Sequence, residues 1–272
     1  MKALGIILAG GNSSRMQNLS EKRAISAMSV ACSYRCIDFV LSNMTNSNIQ
    51  TVAVLSQYNA RSLNEHLNSS KWWNFGRKQG GLFLFTPTVT SDNSWWYRGT
   101  ADAMWQNIDF LKKRHEPYVV IASGDCVSKM DFNEILEYHI AKQSDITVVC
   151  AKLPEWEDPK RFGLVKLDME GRIMEFDEKP MVADSDIVST GVYVIRRRTL
   201  IELLEQSNEE GRYNFVTDVL IRQKGLKKIY GYMLDGYWSN IASVESYYRT
   251  NMDFLKKDIR DHFINEYPYI ET

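Results

Sequence analysis

The clearest pattern along the chain is a series of short apolar runs with few polar residues inside them. Such runs are typical of strands that are buried on both faces, as in a parallel sheet. They predict the strands Leu4–Leu8, Thr51–Leu55, Leu82–Phe85, Tyr118–Ala122 and Ile146–Ala151. Each run is short and ends in polar or small residues, which favours strands over buried helices.

Between these runs, apolar residues recur at a helical spacing. From Ile37 to Met44 they stand at i, i+3, i+4 and i+7, which predicts a helix with one buried face. Further helices are predicted after Asp131 and at residues 60–67, 100–114, 200–206, 213–220 and 244–257. Because strands alternate with helices, we expect an α/β fold with a mainly parallel sheet and helices on both faces.

The second half of the chain adds antiparallel strands to this picture. Residues 164–167 and 172–176 flank a turn at Gly171 and predict a hairpin, and further strands are predicted at 190–195 and 228–234. The sheet is therefore expected to be mixed. Because the sequence shows neither a linker nor an internal repeat, we predict one domain over residues 1–272.

Composition and charge exclude several classes of protein. The chain has 44% hydrophobic and 25% charged residues and a net charge of −1, so nothing in its charge favours nucleic acid or a membrane surface as a partner. No apolar segment approaches the roughly 18 residues of a membrane span, and the N-terminus does not read as a secretory signal. We therefore expect a cytoplasmic protein whose four cysteines are structural thiols.

The loop after the first predicted strand carries candidate chemistry. The chain turns at Gly10-Gly11 and enters a polar loop that ends at Arg15. Glycines let backbone N–H groups approach an anion and the arginine supplies charge, so the loop suits a phosphate. A tight strand-to-helix turn without a ligand is the alternative. The spacing matches neither the dinucleotide fingerprint nor the NTPase phosphate loop, which argues against both of those classes.

Two further polar positions follow predicted strands. Asp125 lies just beyond the strand Tyr118–Ala122, where open α/β sheets place ligand chemistry, although a turn or capping residue would look the same. Lys179 stands in the turn Glu178-Lys179-Pro180 after the hairpin, where it either binds phosphate or is solvated.

A set of motifs in a fixed order covers nearly the whole chain. The motifs are Ile7–Gly11 with Arg15, Arg23-Ala24, Tyr34–Asn43 with Asn46-Ser47, Trp96–Ala103 (W-Y-R-G-T-A-D-A), Ser123-Gly124-Asp125, Glu178-Lys179-Pro180, Gly236-Tyr237-Trp238 and Asn251-Met252-Asp253. Because it carries these motifs in this order, the chain resembles the bacterial glucose-1-phosphate adenylyltransferases (ADP-glucose pyrophosphorylases) of the sugar nucleotidyltransferase superfamily. The stretch W-Y-R-G-T-A-D-A is highly specific for that family.

The resemblance implies a Rossmann-like nucleotidyltransferase fold and adenylyl transfer from ATP to glucose 1-phosphate for glycogen synthesis, with release of pyrophosphate. The roles it implies are catalysis for Arg15 and Asp125, Mg²⁺ binding for Asp125, nucleotide binding for Gly10, Gly11, Gly99 and Thr100, and sugar-phosphate binding for Glu178 and Lys179. It also implies a left-handed β-helix domain after this one. The sequence ends before such a domain, so we expect the chain to be part of a longer protein.

Three positions depart from the family's pattern, all on the nucleotide side. Ser13 stands where the family has the last glycine of its loop, and its Cβ restricts the approach of a phosphate. Ile25 replaces the lysine of R-A-K-P-A and offers a triphosphate neither charge nor a donor. Asn240 replaces the aspartate that joins the Asp125 position in holding Mg²⁺, so we expect the ion to be held weakly or lost.

The sugar-phosphate side, by contrast, keeps the family's Lys179. This split pattern resembles the regulatory, D-type subunit of the two-subunit enzyme of some Gram-positive bacteria. It implies a catalytically deficient chain in a hetero-oligomer with a catalytic adenylyltransferase subunit, with ATP, ADP-glucose and glucose 1-phosphate as candidate ligands. Two alternatives stay open: an active nucleotidyltransferase with an altered site, and a stand-alone sensor of a sugar phosphate or nucleotide.

Overall fold

The computed structural model describes residues 2–68, 72–75, 80–88 and 96–272. Within them the strands are β1 (Ala3–Leu8), β2 (Ser29–Val30), β3 (Tyr34–Arg35), β4 (Thr51–Leu55), β5 (Gly81–Phe85), β6 (Tyr118–Ser123), β7 (Cys126–Ser128), β8 (Ile146–Lys152), β9 (Gly163–Leu167), β10 (Ile173–Glu178), β11 (Ile187–Arg196), β12 (Ile229–Met233) and β13 (Trp238–Asn240). The α-helices are α1 (Cys36–Asn46), α2 (Arg61–Leu67), α3 (Thr100–Gln106), α4 (Ile108–Lys112), α5 (Phe132–Ala141), α6 (Arg197–Glu209), α7 (Ile221–Gln223), α8 (Val244–Asp253) and α9 (Lys257–Arg260). Tighter or wider turns of helix are the 3₁₀ segments Ser14–Ser20, Ile25–Ala27 and Pro159–Arg161 and the π segments Phe215–Leu220 and Asp261–Asn265.

The chain packs as two compact units, each assembled from separate stretches of sequence. The loop unit consists of Leu4–Thr86, Ala122–Phe132 and Gly236–Thr272, and the hairpin unit of Met1–Ala3, Pro87–Ile121 and Asn133–Asp235. Compactness does not decide whether either unit folds alone, so one domain over residues 1–272 stays a prediction.

The loop unit contains a parallel arrangement of β1, β4 and β5. Leu4 of β1 pairs with Thr51 of β4, and Thr51 pairs with Gly81 of β5. All five residues of β4 are buried, as the uninterrupted apolar run predicts for a strand inside a parallel sheet. This unit also contains a cluster of buried apolar residues. Its members are Met16, Ile25, Met28, Val30, Cys36, Phe39, Val127, Ile241, Phe254, Phe263 and Ile270.

The hairpin unit contains the antiparallel strands. β9 and β10 form the predicted hairpin, β11 pairs antiparallel with both β9 and β8, and β8 pairs parallel with β12. The α/β fold with a mixed, mostly parallel sheet and helices is confirmed.

Two predicted helices are interrupted in the structure. The helix predicted over residues 100–114 is two helices, because Asn107 leaves helical geometry with φ −109° and ψ 22°. Its side-chain amide donates to the Ala103 carbonyl at 2.9 Å and to the Tyr97 hydroxyl at 3.0 Å. An asparagine that bonds nearby groups in this way competes with the helical ladder. The helix predicted over 244–257 ends at Asp253 and resumes at Lys257.

In the part of the chain that the structure describes, no helix is long and apolar enough to cross a membrane. All four cysteines are free thiols. Cys36, Cys126 and Cys150 are buried, and Cys32 is exposed.

Candidate functional site

The predicted phosphate loop leaves β1 and is anchored on the end of β4. The Ala9 amide donates to the Leu55 carbonyl at 2.8 Å, and a Cβ on Gly10 would lie 3.4 Å from Gln57. Around Gly11, no described atom lies within 4 Å of the place that a Cβ would take. Arg15 follows in the first 3₁₀ segment and is exposed. The loop thus has an open backbone face at Gly11 and an exposed cation four residues later.

Ser13 ties this loop to the segment that follows β13. Its hydroxyl donates to the Ala242 carbonyl at 2.7 Å, although the two residues are 229 positions apart in the sequence. A glycine, the residue of the family's pattern, has no side chain that could make this bond. Ser13 therefore differs from the family's glycine in two ways: it has a Cβ, and it makes a contact that a glycine cannot make.

The predicted metal position is built by the antiparallel pair of β7 and β13. Their register places Asn240 opposite Cys126, next to Asp125. The Oδ1 atom of Asp125 accepts from the Ser123 hydroxyl at 2.5 Å and from the Cys126 thiol at 3.6 Å. The Asn240 amide donates through Nδ2 to the Cys126 sulfur at 3.6 Å and accepts through Oδ1 from the Ala242 N–H at 3.0 Å.

Ile25 lies in the apolar core of the loop unit. It is 5% exposed and belongs to the same cluster as Val127 and Ile241, the neighbours of Cys126 and Asn240 in sequence. The hydroxyl of the next residue, Ser26, would lie 2.8 Å from a Cβ on Gly124. The segment in which the family's pattern has a lysine therefore packs against the Gly124-Asp125 turn. In this chain it presents the aliphatic side chain of Ile25 to the core.

Gly99 and Thr100, predicted to bind nucleotide, start helix α3 in the hairpin unit. A Cβ on Gly99 would lie 2.4 Å from the Tyr213 carbonyl oxygen, a distance that packing does not allow. The Thr100 hydroxyl accepts from the Phe215 N–H at 2.9 Å. Asp102, which is 2% exposed, accepts two hydrogen bonds from the Arg98 guanidinium. Each of these residues of the W-Y-R-G-T-A-D-A motif thus has a packing role in this unit.

Glu178 and Lys179, predicted to bind the sugar phosphate, lie at the end of β10 in the hairpin unit. The Lys179 ammonium is 3.1 Å from the Glu178 carboxylate, and the lysine side chain is 60% exposed. The Lys179 backbone has φ +49° and donates to the Phe162 carbonyl at 3.0 Å. An exposed ion pair contributes little to stability, so this lysine is available to an anion.

Comparison with known proteins identifies the family. The sequence model of the family described as nucleotidyl transferase matches residues 4–257. The chain belongs to the nucleotidyl transferase family. It is 38% identical over 257 residues to a glucose-1-phosphate adenylyltransferase of Thermosipho africanus, covering 93% of this chain and 62% of that protein. It is also 38% identical over 266 residues to the protein of that name from Desulfitobacterium hafniense, covering 96% of this chain and 66% of the relative. The chain thus spans less than two thirds of the length of these two relatives.

A solved structure supports the fold. A crystal structure described as that of a glucose-1-phosphate thymidylyltransferase from Bacillus anthracis, in complex with sucrose, superposes with a TM-score of 0.74. It covers 92% of this chain and 94% of that chain at 19% sequence identity. The predicted nucleotidyltransferase fold is therefore confirmed.

The donors at positions 125 and 240 do not reproduce the pair of carboxylates that the resemblance to adenylyltransferases implies for Mg²⁺. Mg²⁺ prefers carboxylate oxygens as protein ligands, and of this pair Asp125 alone carries charge. The Asn240 oxygen is engaged by the Ala242 N–H, and its nitrogen is a donor that faces Cys126. Among the described residues, no three His, Cys, Asp or Glu side chains are grouped to hold a metal ion.

The thiol of Cys126, which lies between Asp125 and Asn240, is a hydrogen-bond donor. Burial raises the pKa of the Cys126 thiol well above its ordinary value, and the nearby charge of Asp125 raises it further. Burial, Asp125 and Cys126 act in the same direction on the pKa of Cys36. Both thiols therefore stay protonated at neutral pH, and Cys126 can donate to Asp125.

The predicted site residues are divided between the two units. Ser13, Asp125 and Asn240 are joined through Cys126 and Ala242 in the loop unit, whereas Gly99, Thr100, Glu178 and Lys179 belong to the hairpin unit. Sequence reasoning missed Cys126. Its position directly after Asp125 was the available signal.

Proposed function

We propose that this chain is the nucleotidyltransferase part of a regulatory subunit of a glucose-1-phosphate adenylyltransferase of glycogen synthesis, with little or no activity of its own. The observation that carries the proposal is the side chain of Asn240. It is neutral, and both of its polar atoms have hydrogen-bond partners in the protein where the family's aspartate would hold the metal. Removing one preorganised electrostatic group typically lowers kcat by roughly 10²–10³.

The position of Ile25 supports the same proposal. At 5% exposure inside an apolar cluster, its side chain has no access to a triphosphate, whereas a lysine would supply charge. The exposed charges of Arg15 and Lys179 can still attract the phosphates of ATP, ADP-glucose or glucose 1-phosphate. We therefore propose that the subunit binds one of these ligands without turning it over, and changes the activity of a catalytic partner in a hetero-oligomer.

The test measures pyrophosphate release from ATP, Mg²⁺ and glucose 1-phosphate. The full chain is assayed alone, with a catalytic adenylyltransferase of the same organism, and as the triple variant Ser13→Gly, Ile25→Lys and Asn240→Asp. We expect no activity alone, altered kinetics of the catalytic partner in the mixture, and a gain of activity in the triple variant. Robust pyrophosphate release by the unmodified chain alone would instead establish it as an active nucleotidyltransferase.

Binding of the sugar phosphate can be tested separately. Isothermal titration calorimetry with glucose 1-phosphate compares binding by the unmodified chain and by Lys179→Ala. The matched control is Lys152→Ala, because Lys152 is also an exposed lysine in an ion pair of the hairpin unit. We expect weaker binding in Lys179→Ala only. Equal binding by the two variants would remove Lys179 from the proposal.

A further inference from the structure

Three segments of the loop unit that are far apart in sequence meet around Asn240. They are the loop that carries Ser13, the turn into β7 with Asp125 and Cys126, and the end of β13. Backbone bonds already join two of these segments, since β7 and β13 pair antiparallel with Asn240 opposite Cys126, and the Ile241 N–H donates to the Asp125 carbonyl at 3.0 Å. The bonds described below add side chains to this backbone pairing.

These side chains form one continuous chain of hydrogen bonds. It starts at the Ser13 hydroxyl, which donates to the Ala242 carbonyl at 2.7 Å. The Ala242 N–H donates to the oxygen of Asn240 at 3.0 Å, and the Asn240 nitrogen donates to the Cys126 sulfur at 3.6 Å. The Cys126 thiol donates to Asp125 at 3.6 Å, and the Ser123 hydroxyl completes the chain at 2.5 Å from the same carboxylate oxygen.

The chain of bonds depends on the residues that differ from the family's pattern. A glycine at position 13 removes the first bond. An aspartate at position 240 keeps an acceptor for Ala242 but has no N–H to donate to Cys126. With the native residues, the Ser13 hydroxyl and both polar atoms of the Asn240 side chain find partners inside the protein, which avoids the cost of burying them unpaired.

We infer that this chain of hydrogen bonds, from Ser13 through Asn240 to Asp125, ties the phosphate loop to the β7–β13 pair and fixes the side chains of Asp125 and Asn240 without a metal ion. The altered residues thus act as positioning residues that replace the role of a cation by hydrogen bonds. The inference rests on the proposed loss of metal chemistry, but it does not depend on the proposed catalytic partner.

An aspartate at position 240 should make the stability of the site depend on a cation. The Asp125 oxygen and the Asn240 nitrogen each lie 3.6 Å from the Cys126 sulfur, so they are at most twice that distance apart. Two carboxylates so close together in a half-buried place repel each other, and a divalent cation relieves that repulsion.

The experiment is thermal unfolding of the full chain, followed by circular dichroism in EDTA and in 10 mM MgCl₂, with NaCl matched for ionic strength. We expect the unmodified chain to give the same Tm in all three solutions. Asn240→Asp should lower Tm in EDTA by about 3 °C or more, and Mg²⁺ should reverse part of this loss. Asn68→Asp, the same change at an exposed residue of the loop unit, controls for the added charge and should respond to Mg²⁺ no more than the unmodified chain.

Two results would overturn the inference. One is a Mg²⁺-specific rise of Tm in the unmodified chain, which would show that the native donors hold the ion. The other is an Asn240→Asp variant that is as stable in EDTA as the unmodified chain. If that variant does not fold, Ser13→Ala decides, since loss of the first bond should lower Tm in all three solutions and an unchanged Tm would contradict the inference. Pyrophosphate release plays no part in this test. The inference about the hydrogen bonds can therefore fail while the proposed function stands, and the proposed function can fail while the inference stands.

Discussion

Protonation of His139 should control much of the stability of the hairpin unit in mild acid. The residue is 1% exposed on α5, its Nδ1 atom lies 2.8 Å from the Thr147 hydroxyl, and its ring meets the ring of Tyr118 edge-on. Burial, and to a lesser extent the charge of Arg196, lowers the pKa of His139 from 6.5 to about 4. In the folded protein the imidazole therefore stays neutral until the pH falls to about 4.

The sign and size of the effect follow from this pKa difference. Below pH 6.5 the unfolded chain binds a proton at His139 and the folded chain does not, so acid favours the unfolded state. The stabilisation is fully present above pH 6.5, and it falls by up to about 1.4 kcal/mol per pH unit as the pH approaches 4. Over that whole window the loss amounts to about 3 kcal/mol.

The assay is urea unfolding between pH 4 and pH 7.5, comparing the unmodified chain with His139→Gln. Glutamine can still bond to Thr147 but does not titrate, so subtracting the two curves cancels the contribution of every other ionisable group. We expect the difference in unfolding free energy between the two proteins to change by about 3 kcal/mol across this range. Two parallel curves would refute the reasoning, because they would mean that His139 has the same pKa in the folded and unfolded chain.

Three other changes test the packing of the site residues. Ile25→Lys should lower the free energy of unfolding by about 2 kcal/mol or more in chemical denaturation, because it puts a charge into an apolar cluster, whereas Ile25→Leu should cost less than about 1.5 kcal/mol. Gly99→Ala should lower Tm by several degrees because its Cβ would meet the Tyr213 carbonyl, and Gly11→Ala, where that space is open, should leave Tm within about 1 °C. Asp102→Asn should cost about 2 kcal/mol in the same denaturation assay by weakening buried, charge-assisted bonds, and a variant as stable as the unmodified chain would contradict that assignment.

Much of the fold could be predicted from the sequence because its signals are local. The strands β1, β4 and β8 coincide with apolar runs that a buried parallel strand requires, and the hairpin of β9 and β10 is marked by Gly171. The break between α3 and α4 could not be predicted in this way. It depends on the side chain of Asn107 finding partners in Tyr97 and Ala103, and hydrophobic spacing carries no information about such bonds.

The candidate site could be predicted only in part. Asp125, Arg15 and Lys179 are recognisable as chemistry-bearing residues after strands or turns, and the resemblance supplies their roles. The partnership of Asn240 with Cys126 is invisible in the sequence, because it follows from the register of two strands that are more than one hundred residues apart. Likewise, the sequence shows that Ile25 supplies no charge where the family's pattern has a lysine. That Ile25 belongs to the core could be seen only in the structure.

The burial of Ile25 also has an evolutionary consequence. Ile25 packs in the same cluster as Val127 and Ile241, so the position where the family's pattern has a lysine is part of the core in this chain. A single mutation of Ile25 to lysine would lower stability at once, because it puts a charge into that apolar cluster. Since folded domains are stable by only about 5–15 kcal/mol, such a path passes through weakened intermediates that selection removes. An aliphatic side chain at position 25 is therefore hard to replace by lysine one mutation at a time.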